Sequence, residues 1–260
     1  MEKITKFRSI EKFVHLGKAD FHIHSNYSDG KPSVEKILNY VEEKTDLDVI
    51  AITDHDTLDG ALHAQEIMKN GNFRFELIIG EEISTISGHI LGLYLKQKIE
   101  PGQSVEATIK EIHNQGGLAV APHPFMHIKF NQGAMHTMDG IGATELYKNR
   151  FYLDGIETVN GTPTLADENL GATMMNRALL RQTETGSSDA HILEAIGKGF
   201  TVFQGKNASD LKEAIKKHQT QAIYGRWTVL ALIKYLYFFI PLGIRMFWHS
   251  IFSRKRSDNG

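Results

Sequence analysis

From Ala19 onward, short apolar, β-branched runs alternate with longer segments of helical period, and this alternation confines the chain to parallel βα units. Strands are predicted at Asp20 to Ile23, Val49 to Thr53, Leu77 to Gly80, His89 to Leu95, Leu118 to Ala121, Gly155 to Val159, Thr185 to Ser188 and Thr201 to Phe203. Between them, Val34, Ile37, Leu38 and Val41 give the i, i+3, i+4, i+7 stripe of an amphipathic helix, and further helices fit Leu58 to Lys69, Leu165 to Leu180 and Ser209 to Lys217. Another opens with Ser104 as N-cap, turns Val105, Ile109 and Ile112 inward and stops at Gly116 and Gly117. Seven or eight strands with intervening helices in roughly 200 residues favour a compact βα barrel over an open sheet.

Composition narrows the function. The 260 residues are 41% hydrophobic, ample for one large core, so disorder is excluded as the main state. The absence of cysteine excludes thiolate metal sites and cysteine nucleophiles. Thirteen histidines need a place, and imidazole is the commonest metal ligand. The net charge of −2 is unevenly spread: residues 1–225 hold 23 basic against 30 acidic residues, whereas from Arg226 onward six Lys or Arg face only Asp258. An acidic body repels long polyanions and argues against a broad nucleic-acid groove. Residues 1–18 form an N-terminal extension without the apolar h-region of a secretory signal, residues 19–225 the barrel, and residues 226–260 an apolar and basic tail.

Metal-competent residues recur just after the predicted strands, where a βα barrel has its active-site face. His22, His24 and Asp29 follow the first strand, Asp54 and His55 the second, Glu81 and Glu82 the third, and His123 the fifth; His89 opens the fourth, and Asp189 and His191 follow the late strand. Each motif alone has an ordinary structural reading: Ser28-Asp29-Gly30 as a turn, Thr53-Asp54-His55-Asp56 as a helix cap, Pro122-His123-Pro124 as a rigid loop. Their recurrence at one end of successive strands points to a shared centre.

In that order, His22-Ile23-His24, Ser28-Asp29-Gly30, Thr53-Asp54-His55-Asp56-Thr57, Gly80-Glu81-Glu82, Gly88-His89, Pro122-His123-Pro124 and Ser188-Asp189-Ala190-His191 resemble the PHP (polymerase and histidinol phosphatase) superfamily of metal-dependent phosphoesterases, from about Ala19 to Tyr224. The resemblance implies a distorted seven-stranded βα, TIM-like barrel with two to three divalent ions at its C-terminal face. It assigns one ion to His22, His24, Glu82 and Asp189, a second to Asp29, His55 and His191, and a third to Glu82, His89 and His123. The family pattern Gly-x-Glu selects Glu82 over Glu81, and strand alternation would turn the two to opposite sides.

Six imidazoles with three carboxylates suit Mn, Fe or Zn better than Mg or Ca. The expected reaction is hydrolysis of a small phosphomonoester by metal-activated hydroxide attack at phosphorus, with His55 and His191 nearest the chemistry and Asp54 orienting His55. The alternatives are a nuclease or oligonucleotide phosphodiesterase and a non-catalytic, metal-stabilised, membrane-associated binding module. For substrate contact, His127 lies in the loop after His123, and Lys148, Arg150 and Arg177 are cations on nearby segments. Between the His89 and His123 motifs there is no room for a helical lid over a nucleotide.

The tail is nearly all apolar from Trp227 to Phe252, with Lys234, Arg245 and His249 its ionisable residues, then Arg254, Lys255 and Arg256. A wide apolar face with a basic edge reads as an interfacial helix, interrupted at Pro241, that attaches residues 226–256 to an anionic membrane surface without serving the chemistry. A helix packed on the barrel and a tilted span are the other readings. The expected location is cytoplasmic, peripheral on the inner face of the membrane.

Overall fold

The computed structural model describes residues 15–126 and 139–239. Nine strands form a single sheet: β1 (Leu16–Asp20), β2 (Val49–Ile52), β3 (Glu76–Thr85), β4 (Gly88–Leu93), β5 (Leu118–Ala121), β6 (Gly155–Asn160), β7 (Glu184–Ser187), β8 (Gly199–Gln204) and β9 (Thr220–Tyr224). They run in the order β7-β6-β5-β4-β3-β2-β1-β8-β9. Pairings β1–β2, β2–β3, β5–β6 and β6–β7 are parallel, while β3–β4, β4–β5, β1–β8 and β8–β9 are antiparallel. The sheet is therefore mixed and has nine strands, not seven parallel ones. Two residues, Ile86 and Ser87, join β3 to β4, and a connection that short can only reverse the chain.

The two ends of the sheet come nearly together. Gly186 of β7 donates its N–H to Thr201 Oγ1 of β8 (2.9 Å), and that hydroxyl donates back to the Gly186 carbonyl (2.8 Å). A Cβ on Gly186 would lie 2.7 Å from the Phe200 carbonyl oxygen, and one on Gly199 would lie 2.1 Å from that of Ser187, so this closure requires glycine on both sides. Higher up, Ile23 pairs with Ala190 in an isolated parallel bridge. The strand expected at Asp20 to Ile23 therefore appears as β1 followed by this short bridge.

Helices α1 (Val34–Lys44), α2 (Asp59–Asn70), α3 (Val105–Asn114), α4 (Gly142–Lys148), α5 (Ala166–Met175) and α6 (Ala208–Lys216) cover the sheet. α1 buries Val34, Ile37, Leu38 and Val41, the stripe read from the sequence. The Ser104 side chain caps α3, accepting from the Ala107 N–H at 3.2 Å, and Asn207 and Asp210 close a reciprocal capping box on α6. The segment expected as one helix from Leu165 to Leu180 is α5 followed by a π-turn, Asn176–Leu180, which ends at left-handed Arg181.

Alternate residues of each strand serve two layers. Ile50 and Ile52 face α1 and α2, whereas Val49 and Ala51 join Phe21, Ile78, Leu91 and Phe203 in a separate cluster that α6 completes with Leu211, Ala214 and Ile215. Residues 229–239 form one more helix, α7, with the Thr228 hydroxyl accepting from the Ala231 N–H (3.2 Å). It is built onto the barrel: Tyr235 enters the same cluster as α1 and α2, Trp227 Nε1 donates to the Gly161 carbonyl at 2.9 Å, and Lys234 pairs with Glu194. The tail thus continues the barrel's packing as far as residue 239 instead of leaving it at 226. Residues 1–14 and 240–260 lie outside the described residues, and with the latter the basic cluster Arg254 to Arg256. No helix among the described residues is long and apolar enough to cross a membrane.

Candidate metal centre

Backbone pairing brings the first and last motifs together. The His24 N–H donates to the Ala190 carbonyl (3.0 Å) and the Ala190 N–H to the His22 carbonyl (3.2 Å). Since Ile23 and Ala190 both turn into the α1–α2 core, alternation sends His22 and His24, and likewise Asp189 and His191, to the other side. The second and third motifs meet in the same way through the His55–Glu82 bridge. His89 enters from the β3–β4 hairpin opposite Ser84, and His123 follows β5. His123, Asp189 and Asp56 hold positive φ of 24°, 53° and 54°, strain of the kind stored where side chains must be aimed.

All nine side chains anticipated from the motifs are brought together. Glu82 lies at the middle. Its Oε2 is 3.1 Å from His22 Nε2, 3.2 Å from His24 Nε2 and 3.4 Å from His55 Nδ1; its Oε1 is 3.1 Å from both His89 Nδ1 and His123 Nε2. Asp189 Oδ1 is 3.3 Å from His24 Nε2 and 3.6 Å from His22 Nε2. Asp29, the one member with a largely open side chain (42% exposed), reaches His191 Nε2 at 3.1 Å and His55 Nε2 at 3.8 Å. Ligand atoms of His24, Asp29, His55 and His191 lie within 4.8 Å of one another, as do those of His22, Glu82 and His123, of His22, His24 and Asp189, and of His55, Glu82 and His89. Glu81 turns away: its Oε2 accepts from the Ile99 N–H at 3.0 Å, and burial lifts its carboxyl to about 7.

The electrostatics are those of a centre built for cations. Burial opposes charge on Glu82 and Asp189, yet the surrounding imidazoles hold both carboxyls well below their usual range. Burial likewise opposes charge on His24, but Asp189 and Glu82 push its pKa up to about 10. For His55 burial prevails and takes it down to about 3. Both ring nitrogens of His24, and Nδ1 of His89 and of His123, are buried without a hydrogen-bond partner. A buried polar atom left unsatisfied costs about 1–3 kcal/mol. Several ring nitrogens left in this state around shared carboxylates fit divalent ions with mixed imidazole and carboxylate shells.

Glu157 of β6 was not singled out from the sequence, yet it lies fully buried beneath the cluster. Its Oε1 is 3.2 Å from His22 Nδ1 and accepts from the Ser187 hydroxyl, while its Oε2 accepts from the His123 N–H and from Asn160 Nδ2, both at 2.8 Å. Asn160 Nδ2 also reaches Asp189 Oδ2 at 3.2 Å. The only sequence signal is an acidic residue inside a predicted apolar strand. Asp54 differs from its expected role: its carboxylate accepts from the Ser25 N–H (2.7 Å) and from the Ser25 and Ser28 hydroxyls (both 2.6 Å), so it holds the loop that carries Asp29.

The expected substrate cations are not at the centre. Lys148 pairs with Glu145, Arg150 stacks over Tyr147 and Phe151, and Arg177 makes a two-pronged pair with Glu184 at the start of β7, the end of the strand away from Asp189. His127 lies outside the described residues.

A model of the PHP-associated family matches residues 180–220. An uncharacterised protein of Methanocaldococcus jannaschii is 40% identical over 149 residues, 54% of this chain and 85% of that protein. Among solved structures, a two-domain protein of Bacteroides vulgatus containing a predicted PHP-like metal-dependent phosphoesterase aligns with a TM-score of 0.63 at 20% identity. The alignment covers 82% of this chain and 66%, just under two thirds, of that one. A lesion-specific endonuclease from Pyrococcus furiosus aligns with a TM-score of 0.53 at 17% identity over 80% of this chain and 58% of its own. The matched segment is the one that delivers Asp189 and His191, so the PHP-associated likeness and the geometry meet at the same residues, on a fold shared with PHP-like structures.

Proposed function

We propose that the chain is a metal-dependent phosphoesterase acting on a small phosphomonoester. The observation that carries this reading is the division of Glu82: one oxygen serves His22, His24 and His55 while the other serves His89 and His123, the arrangement of a carboxylate shared between adjacent ions. In this reading the metal ligands are His22, His24, Asp29, His55, Glu82, His89, His123, Asp189 and His191, holding two to three Mn, Fe or Zn ions. When bound, such ions supply Lewis acidity, lowering the pKa of water and neutralising charge on a leaving oxygen.

The chain's own residues hold and orient that centre. Glu157 fixes the His22 ring through Nδ1, and Asp54 fixes the loop bearing Asp29. Asp29, beside buried His191, forms the open edge at which a phosphoester enters. Among the described residues no Lys or Arg side chain pairs with any of the nine, so the substrate's negative charge is met by the ions. The acidic body favours a compact substrate over a long polyanion.

Metal analysis of protein grown with Mn or Fe, followed by assay on p-nitrophenyl phosphate with and without chelator, tests the reading. Two to three ions per chain and chelator-sensitive turnover are expected, with His22→Ala and Asp189→Ala inactive and His63→Ala unaffected. Fewer than one ion per chain refutes it. The fold shared with the Pyrococcus furiosus endonuclease makes a phosphodiester the second reading. Faster, steeply salt-sensitive degradation of long single-stranded DNA would decide for it.

A further inference from the structure

The helix α7 carries two apolar faces. Ala231 and Tyr235 are buried against the barrel, and Phe239 and Phe238 bring their ring centroids to 6.1 and 6.5 Å from that of His191. On the other side Val229, Leu230, Ile233, Leu236 and Tyr237 are each 54–75% exposed. At about 100° per residue these five fall within one stripe about 120° wide, the width of a face made to be covered.

We propose that this stripe docks on an anionic lipid surface. Charge selects that occupant. Residues 1–225 carry an excess of seven acidic groups, which alone would repel such a surface, whereas the sequence beyond α7 stays apolar from Ile240 to Phe252 with Arg245 and His249 its ionisable residues, then supplies Arg254, Lys255 and Arg256. An apolar stripe ending in a tyrosine and followed by a tryptophan and a basic cluster is the composition that settles at a headgroup boundary. The inference stands on a different observation from the phosphoesterase reading, and it has a consequence for that site. Phe238 and Phe239, on the barrel side of α7, lie against His191, which also contacts the open Asp29 carboxylate, so a docked α7 stands between the lipid and that end of the centre.

The test uses the full chain and sedimentation with vesicles of phosphatidylcholine alone or mixed with phosphatidylglycerol. The wild-type protein is expected to bind the mixed vesicles and to release with added salt. The double variant Leu230→Glu with Ile233→Glu is expected to bind roughly tenfold less or weaker, keeping its melting temperature and its turnover of p-nitrophenyl phosphate. Tyr237→Glu, at an open end of the stripe, provides the same comparison if the double variant fails to fold. Equal binding by wild type and variants overturns the proposal, as does absence of wild-type binding. A wild-type dimer that the variants convert to monomer, without lipid binding, gives the face to a second copy of the chain. Vesicle binding without phosphatase turnover would leave the docking face standing and sink the phosphoesterase reading.

Discussion

At the scale of single residues, the candidate centre rests on groups outside the nine clustered side chains. Glu157 places one oxygen beside His22 and the other on the His123 N–H and Asn160, so two segments of the candidate centre hang from one carboxylate. Glu157→Gln keeps the shape but turns one acceptor into a donor facing Asn160, and loss of such a partner typically weakens metal binding by about 10–100-fold. Competition against a calibrated chelator measures this; an unchanged affinity would reduce Glu157 to packing. A second residue-scale expectation concerns protons. With its folded pKa raised from 6.5 to about 10, protonated His24 stabilises the metal-free fold fully below pH 6.5 and loses that contribution as pH rises towards 10. Metal requires the neutral ring, so loading at pH 8 must expel a proton. Calorimetry in two buffers of different ionisation enthalpy should give different heats, and equal heats would contradict the assignment. The nine clustered side chains were legible because their motifs repeat at strand ends. Glu157 was not, because His22, His123 and Ser187 come from three other segments and no spacing records them. Asp54 was misread because adjacency to His55 in sequence says nothing about which way a carboxylate turns.

At the scale of elements, the sheet's closure fixes where Asp189 and His191 stand. Gly199 lies so close to β7 that a Cβ would be 2.1 Å from the Ser187 carbonyl oxygen, two residues before Asp189. Gly199→Ala must push β8 off β7; a cost of about 2–4 kcal/mol is expected, together with weaker metal retention because the Asp189 segment moves with its strand. Thermal melts of the metal-free and loaded protein check both parts, and an intact melting temperature would show that the closure is slack. Seven of the nine strands were legible as apolar runs, while the strand expected at Asp20 to Ile23 shares only Asp20 with β1. The ninth, Thr220–Tyr224, was not, since its five residues Thr-Gln-Ala-Ile-Tyr have no buried face and pair only along the edge of β8. Short α4 likewise buries only Leu146 and so leaves no helical period in the sequence. Parallel pairing was over-read: apolar runs betray a buried strand, but direction is set by connection length, as at the two-residue β3–β4 turn.

At the scale of the whole molecule, the composition break at Gly225 and Arg226 does not coincide with the end of the packed structure. Tyr235 is buried in the barrel and Trp227 and Phe239 are partly buried against it, together about 3 kcal/mol where full burial of one such side chain contributes roughly 1.5–3 kcal/mol. Truncation after Gly225 removes all three, strips Phe238 and Phe239 from His191 and exposes the Gly161 carbonyl that Trp227 satisfies. Truncation after Phe239 removes none of these contacts. The shorter chain is therefore expected to melt about 6–12 °C lower than the longer one, at the usual 2–4 °C per kcal/mol for a domain of this size, and to hold metal less tightly at the His191 end. If the two truncations melt together and bind Mn or Zn equally, α7 contributes neither to the barrel nor to the centre, and the tail begins where its composition changes.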